Sequence, residues 1–313
     1  MYEYDKRVVL TLDAGGTNFV FSAIQGNNEM ISPIGLPAVS DNLDECLEVL
    51  VKGFDRVIAA IPVPPVAISF AFPGPADYEN GIIGDLPNFP SFRGGVALGP
   101  FLKHKYGIPV FIENDGNLFA YGEALSGALP MINRELSLAG CSREYKNLIG
   151  ITLGTGFGAG VVINKVLLTG DNGCGGDIWL MRNKKYPDML AEESVSIRAV
   201  RRVYSDLSGQ SSASLSPKDI YDIAEGIKEG DSHAAIASFN ELGIMAGAAI
   251  ASVLNVVDGL VVIGGGVAGA SKYILPALIT ELRAQLTTFS GNKFHAFLCK
   301  YIMEKMNRRE LVS

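Results

Sequence analysis

The feature that most narrows the folds open to this chain is a strand, glycine turn and strand that occurs twice. Arg7 to Leu12 is mostly apolar and β-branched, runs into Asp13-Ala14-Gly15-Gly16-Thr17-Asn18, and continues as the apolar Phe19 to Ile24. Ile149 to Leu153 runs in the same way into Gly154-Thr155-Gly156-Phe157-Gly158-Ala159-Gly160 and on through Val161 to Ile163. Such runs joined by glycines predict hairpins. Glycine also lets backbone N–H groups approach an anion with no Cβ in the way, so each turn reads either as a plain hairpin or as a phosphate cradle, with Thr17 and Asn18 as added polar donors. Neither is a Walker loop, since no Gly-Lys-Ser/Thr follows, and neither is a dinucleotide fingerprint, since a strand rather than a helix comes next. Two units about 140 residues apart point to two similar half-domains facing one ligand.

A second constraint lies at 109–123. Val110, Phe111 and Ile112 predict a buried strand, and Glu113-Asn114-Asp115-Gly116-Asn117 is turn and helix-cap chemistry ahead of a helix beginning near Leu118. Open α/β sheets place ligands at such strand ends, so Asp115 either caps that helix or serves as a catalytic base. Val66 to Phe72 is another strand, emptying into the rigid turn Pro73-Gly74-Pro75-Ala76-Asp77-Tyr78 and then a polar, proline-dotted loop through Asn88 and Pro90.

Leu43, Cys46, Leu47, Leu50 and Val51 recur at helical spacing, which predicts an amphipathic helix over 41–56, and a further helix is expected over 95–106. Residues 131–147 show no organising pattern. Gly170 to Gly176 is a glycine-dense loop that ends on Asp177. A helix is expected over 188–204, with Glu192, Glu193 and Ser196 in its first turns, where an acid also suits the helix dipole. Ser216-Pro217 opens another helix, and 232–254 reads as a long, alanine-rich, buried one. Leu260 to Ile263 is a core strand leading into Gly264-Gly265-Gly266-Val267-Ala268 and a helix from about Lys272; the glycines are either a close packing turn or a flat seat for a ring. Phe294, Phe297, Leu298, Tyr301 and Ile302 share one face if 294–306 is helical, and that face is expected to pack back on the body.

Composition excludes several classes. At 313 residues and 48% apolar content the chain can build two domains. A net charge of −7, with no run of Lys or Arg longer than two, argues against a nucleic-acid or anionic-membrane surface. Cys46, Cys141, Cys174 and Cys299 form no Cys-x-x-Cys pair, which fits reduced thiols in the cytoplasm. The first ten residues hold no apolar block of signal-peptide length, and the membrane-like stretch 243–270 is interrupted by Asn255 and Asp258.

Taken in order, these pieces resemble the ROK family of sugar kinases within the actin and hexokinase superfamily, over residues 8 to 290. The resemblance is carried by DAGGTN at 13–18, ENDGN at 113–117, GTGFGAG at 154–160 and GGGVAG at 264–269, with weaker likeness in the PGP turn at 73–75 and the Pro-Asn-Phe-Pro loop at 87–90. It implies an α/β, two-lobed actin-like ATPase (ribonuclease H-like) fold with mixed β-sheets flanked by helices. The expected lobes are 1–123, with a C-terminal helix of about 292–313 packing back on it, and 124–291, with the active site in the cleft. The implied function is transfer of phosphate from ATP, with Mg2+, to a hexose hydroxyl, most simply the 6-hydroxyl of glucose or a related hexose or N-acetylhexosamine, with Asp115 as general base.

By the same resemblance Gly74, Asn88, Asn114, Asp115, Asp177 and Glu192 surround the sugar. The nucleotide is expected on Asp13, Gly15, Gly16, Thr17 and Asn18, on Gly154, Thr155, Gly156 and Gly158, and on Gly264, Gly265, Gly266 and Val267, with Asp13 near the metal through water. The family's Glu-x-Gly-His segment reads Asp177-Ile178-Trp179-Leu180 here and no cysteine cluster follows, so no zinc site is expected. A homodimer is expected because the family commonly forms one. The alternatives are a sugar-binding protein without catalysis and a ROK-type transcriptional regulator; the latter needs a helix-turn-helix, and only six residues precede the first expected strand.

Overall fold

Antiparallel pairing begins at once, because the alternating apolar residues of β1 (Val9–Ala14) and β2 (Asn18–Gln25) match in register from Val9↔Ile24 to Ala14↔Phe19. The computed structural model describes residues 2–15, 17–72, 74, 76–84 and 89–297. Gly16, Asn88, the prolines at 73, 75 and 87, and residues 298–313 lie outside the described residues. After β2 come the short β3 (Asn28–Glu29) and β4 (Ile34–Pro37), then α1 (Leu43–Ala60), β5 (Ala67–Ala71), a small ribbon of β6 (Ala76–Asp77) and β7 (Ile82–Ile83), α2 (Leu98–Tyr106), β8 (Val110–Glu113), α3 (Asp115–Leu125) and α4 (Ala128–Leu138). The strands order as β3-β2-β1-β5-β8, with β4 on β2; β5 runs parallel to both β1 and β8.

Two compact units are formed, and the first holds both main sheets: residues 1–152, 158–177 and 259–265. Its second sheet contains β9 (Leu148–Leu153), β10 (Phe157–Ile163), β11 (Val166–Leu167) and β12 (Leu260–Gly264) in the order β11-β10-β9-β12, with β12 parallel to β9. The first sheet packs on α1 through buried Cys46, Leu50, Phe54 and Val57. Gly53 brings that helix close, since a Cβ there would lie 2.3 Å from the Phe21 ring. Phe54 sits at the centre, with ring centroids 5.2 Å from Phe21, 6.2 Å from Phe70 and 6.1 Å from Tyr106. Burial pushes the Cys46 thiol up to about 11, so it packs as a small apolar group.

The second unit comprises 153–157, 178–258 and the chain from 266. It contains α5 (Ile197–Ser208), α6 (Pro217–Ala224), α7 (Ser232–Leu254), α8 (Ser271–Leu282) and a ribbon of β13 (Gln285–Thr287) with β14 (Lys293–His295). α6 starts as its Ser216-Pro217 signal predicts, with a reciprocal capping box between Ser216 and Asp219. α7 is long and apolar enough to cross a membrane by length and composition, but 67% of that stretch is buried in the protein. Gly243 and Gly247 let α8 approach its backbone: a Cβ at these positions would lie 2.4 Å from the Ile274 carbonyl oxygen and 2.8 Å from that of Leu278.

Three expectations are corrected. Residues 293–295 form a strand, not the start of a helix over 294–306, because Thr288-Phe289-Ser290-Gly291-Asn292 folds into a turn, with Gly291 at φ 85° and the Thr288 N–H donating to the Asn292 carbonyl at 2.9 Å. Residues 188–196 are not helical except for a single 3-10 turn at Ala191–Glu193, and α5 begins only at Ile197, capped by Ser196. The unassigned stretch 131–147 begins within α4, a helix in which Leu129 is the one buried residue. Replacing Phe54 by Ala is expected to lower stability by about 3–5 kcal/mol, the range for emptying an aromatic core position, read from the midpoint of urea unfolding.

Candidate active site

The end of β8 is fixed first by the sheet. Ala71 pairs with Glu113, and the Phe72 N–H donates to the Glu113 carbonyl at 3.0 Å. Asn114 then takes extended dihedrals (φ −63°, ψ 146°), and its Oδ1 accepts from Gly116 N–H at 2.9 Å and Asn117 N–H at 3.3 Å. The N-cap of α3 is therefore Asn114, which removes Asp115 from that role. Asp115 is the first helical residue and is exposed, with Oδ1 2.9 Å from the Gly116 N–H. A carboxylate here gains from the helix dipole while its second oxygen has no hydrogen bond to Asn114 or to the α3 N–H groups. Glu113 turns inward instead, its Oε1 accepting from Asn114 N–H at 2.9 Å and from the buried Asn117 Nδ2 at 3.1 Å.

What holds α3 in place is backbone contact with the second sheet. A Cβ on Gly116 would lie 2.8 Å from the Ala159 oxygen and 2.9 Å from its nitrogen; one on Gly160 would lie 2.7 Å from the Gly116 oxygen; one on Gly150 would lie 2.6 Å from Ala120 Cα. Gly158 faces Thr152 Oγ1, where a Cβ would be 2.3 Å away. In the 154–160 motif, Gly158 and Gly160 thus serve close packing within the protein.

Around Asp115 the same unit gathers further polar groups. Tyr78, half-buried at the end of the turn that follows β5, donates its hydroxyl to the Phe72 carbonyl at 3.0 Å. Burial pushes this phenol up to about 12; the Asn114 side chain partly offsets that, and the carboxylates of Asp115, Glu113 and Asp177 add to it. Gly74 borders the hydroxyl, with a Cβ position 3.0 Å from it. Gly74 thus lies against Tyr78, and Asn114, Asp115 and Asp177 lie within its electrostatic reach; all four are singled out in the sequence, whereas Tyr78 is not. The available signal was its place as the last residue of the Pro-Gly-Pro turn. Asp177 is exposed, at the end of a loop that Gly175 tightens through a 2.9 Å bond from its N–H to the Thr169 carbonyl.

The glycine turns divide by environment. In the first, Asp13, Thr17 and Asn18 are exposed, and a Cβ on Gly15 would lie 2.9 Å from the Asn18 oxygen. In the second, the Gly154 N–H closes the turn on the Gly156 carbonyl at 3.1 Å, and nothing lies within 4 Å of a Cβ on Gly154. Gly156 is pressed against Glu192 Oε2 (2.4 Å from a Cβ), which accepts the Phe157 N–H at 3.0 Å, while Arg198 Nη2 holds Glu192 Oε1 at 3.2 Å and Glu193 Oε1 at 3.0 Å. In the third, Gly264 packs on the Phe119 ring (2.6 Å), Gly265 has φ 91°, Gly266 is open, and Val267 is buried, so only its backbone can meet a ligand.

A sequence model of the ROK family matches residues 9–306. The chain belongs to the ROK family. A glucokinase of Thermotoga maritima is 26% identical over 290 residues, covering 87% of this chain and 86% of that protein. The crystal structure of a glucokinase from Parabacteroides distasonis is 66% identical and superposes with a TM-score of 0.84 over 90% of this chain and 79% of that one. A xylose repressor of Bacillus subtilis is 24% identical over 79% of this chain, which spans 61% of the repressor. The fold is accordingly the α/β actin-like ATPase fold that the motifs implied. At the position where the ROK segment carries histidine, Leu180 is 50% exposed in a 3-10 turn, and among the described residues no three His, Cys, Asp or Glu side chains converge as a metal site.

The packing has a direct consequence. Gly116→Ala must displace the backbone of Ala159, and is expected to destabilise the protein by about 1–3 kcal/mol, visible as a lowered thermal midpoint.

Proposed function

We propose that this ROK protein is an ATP-dependent hexose kinase in which Asp115 is the general base, acting on the 6-hydroxyl of glucose or a related hexose or N-acetylhexosamine. The observation that carries the reading is the exposed Asp115 carboxylate at the start of α3, beside the capping Asn114, in a chain 66% identical to a glucokinase. The capping role belongs to Asn114, which leaves Asp115 for chemistry.

The step balances simply. A sugar hydroxyl oxygen forms a bond to the γ-phosphorus of ATP, the bond from that phosphorus to the bridging oxygen breaks with its electron pair going to ADP, and the hydroxyl proton passes to Asp115. Asn114 and Asp177, with Gly74, Asn88 and Glu192, are assigned to the sugar hydroxyls. The nucleotide reading is supported by the open space at Gly154 and Gly266 and by the positive φ of Gly265, where a phosphate or a flat ring can approach backbone. Gly156, Gly158 and Gly264 are assigned to shaping those turns, with Asp13, Gly15, Gly16, Thr17, Asn18, Thr155 and the backbone of Val267 on the nucleotide itself. A lone exposed carboxylate such as Asp13 suits magnesium that arrives on phosphates and keeps most of its waters, and the ion supplies neutralisation of phosphate charge when bound. The lobes are assigned to 1–123 and 124–291, the compartment to the cytoplasm and the assembly to a homodimer. The regulator reading rests on the weaker likeness to the xylose repressor.

Incubation with magnesium, ATP and a panel of glucose, fructose, mannose and N-acetylhexosamines is expected to give sugar-dependent ADP release with at least one sugar. Silence across the panel would overturn the proposal. Asp115→Asn is expected to reduce kcat by about 10²–10⁴-fold while sugar and ATP binding persist, because only proton acceptance is removed. Turnover at the wild-type rate would take the base role from Asp115.

A further inference from the structure

The second glycine turn is stitched at both ends to the segment 192–198, and residues 154–157 and 192–198 all belong to the second unit. At one end the Gly154 carbonyl accepts the N–H of Ile197, the first residue of α5, at 2.9 Å. At the other the Phe157 N–H donates to Glu192 Oε2 at 3.0 Å, and the same oxygen would lie 2.4 Å from a Cβ on Gly156. Between them the Gly154 N–H closes on the Gly156 carbonyl at 3.1 Å. Among the described residues these bonds leave two amides of the turn without a partner in the protein, the successive N–H groups of Thr155 and Gly156, and Thr155 is exposed. Successive unspent N–H groups in a glycine turn make a concavity for an anion. Gly156, which shapes the turn by lacking a side chain, still offers its N–H.

Glu192 is held in its turn by Arg198. One nitrogen, Nη2, donates from the first turn of α5 to Glu192 Oε1 at 3.2 Å and to Glu193 Oε1 at 3.0 Å. Glu192 is therefore fixed through both oxygens, and without the bond at Oε1 its side-chain torsions are free to carry Oε2 away from the Phe157 N–H. Charge acts in the same direction. The Glu192 carboxylate lies on the wall of a turn that would receive a phosphate, and a guanidinium bonded to its far oxygen offsets the repulsion between the two anions. Glu193 shares Arg198 but, among the described residues, makes no hydrogen bond to the turn.

We propose that Arg198 is a positioning residue of the nucleotide site: by bonding Glu192 it holds the carboxylate that takes the Phe157 N–H, so that the Thr155 and Gly156 N–H groups are presented together to a nucleotide phosphate. The inference rests on the reading of this turn as a phosphate seat.

Calorimetric affinities for ATP with magnesium test it in wild type, Arg198→Met, Glu193→Gln, Glu192→Ala and the Arg198→Met, Glu192→Ala double variant, with adenosine as a competitor that lacks phosphate. Methionine keeps most of the stem and removes the guanidinium. Arg198→Met is expected to weaken ATP binding about 3- to 10-fold, the worth of one charged hydrogen bond on a half-exposed side chain, and adenosine binding by less than about twofold. In the Glu192→Ala background the same change is expected to cost less than about 1.5-fold, since its effect runs through Glu192. Glu193→Gln is expected to keep ATP affinity within about twofold of wild type. Unchanged ATP affinity in Arg198→Met would overturn the proposal. So would an equal loss for adenosine, which marks a general structural defect, additive losses in the double variant, or a loss in Glu193→Gln as large as that in Arg198→Met. Wild type that binds no ATP would bring down the nucleotide reading itself, whereas wild-type binding with any of those four results brings down this inference alone.

Discussion

The placement of Asn114 and Asp115 depends on one contact: the bare backbone of α3 lying on the bare backbone of the second sheet. Gly116, Gly150 and Gly160 leave no side chain between Asn117, Ala120 and Ala159, and a Cβ at any of the three would fall under 3 Å from a neighbouring atom. Close packing of this kind transmits position rigidly, because there is no side-chain rotamer to absorb a shift. The first turn of α3 carries Asn114 and Asp115, so their placement is set by the sheet beneath them. The motif 154–160 thereby does two things in sequence. Its first half makes the open turn at Gly154, and its second half, at Gly158 and Gly160, seats the helix that bears the carboxylate.

On that platform the corner at 113–117 sorts three polar side chains by their partners. Glu113 is turned inward to bond the Asn114 N–H and the Asn117 amide, Asn114 caps the helix, and Asp115 is left exposed. The distribution follows from geometry. A strand alternates its side chains, so Ile112 enters the core and Phe111 leaves it at 61% exposure, and the turn after Glu113 points the next residues along the strand axis toward solvent. A carboxylate at the first helical position is favoured by the dipole, and among the described residues no cation pairs with Asp115, which suits the proton-accepting role proposed for it.

Much of this is legible in the sequence alone, and the failures have physical causes. The two glycine hairpins, the strand before Asn114 and the helix of 232–254 are local patterns with strong periodicity, and they form where those patterns lie. Asp115 against Asn114 as the cap cannot be decided locally, since both residue types cap well; the dihedrals at Asn114 decide it. The division of glycines into packed and open ones is hidden because it depends on Ala159, Phe119 and Glu192, residues distant in sequence from some of the glycines they press on. Glu192 falls outside the helix expected to hold it because that helix starts later: Asn183 bonds the Lys185 and Tyr186 N–H groups at 3.0 Å each and the Leu190 carbonyl at 3.2 Å, stabilising a loop in place of a helical turn. Tyr78 escapes notice because a tyrosine after a proline turn carries no motif, and its place is fixed only by the Phe72 carbonyl and by the core of the first sheet on which its ring packs.

Glu192, proposed as a sugar ligand, also shapes the glycine turn proposed for phosphate. Oε2 takes the Phe157 N–H and fills the space beside Gly156, and Oε1 takes Arg198. A carboxylate has about four acceptor positions, so these bonds leave room for a donated sugar hydroxyl on the same group. Neutral glutamine at this position would present an NH2 to one side, facing either the Phe157 N–H or the Arg198 guanidinium donor to donor. The second glycine turn therefore takes its shape from the acceptor oxygen that Glu192 sets against the Phe157 N–H and beside Gly156, independently of any sugar.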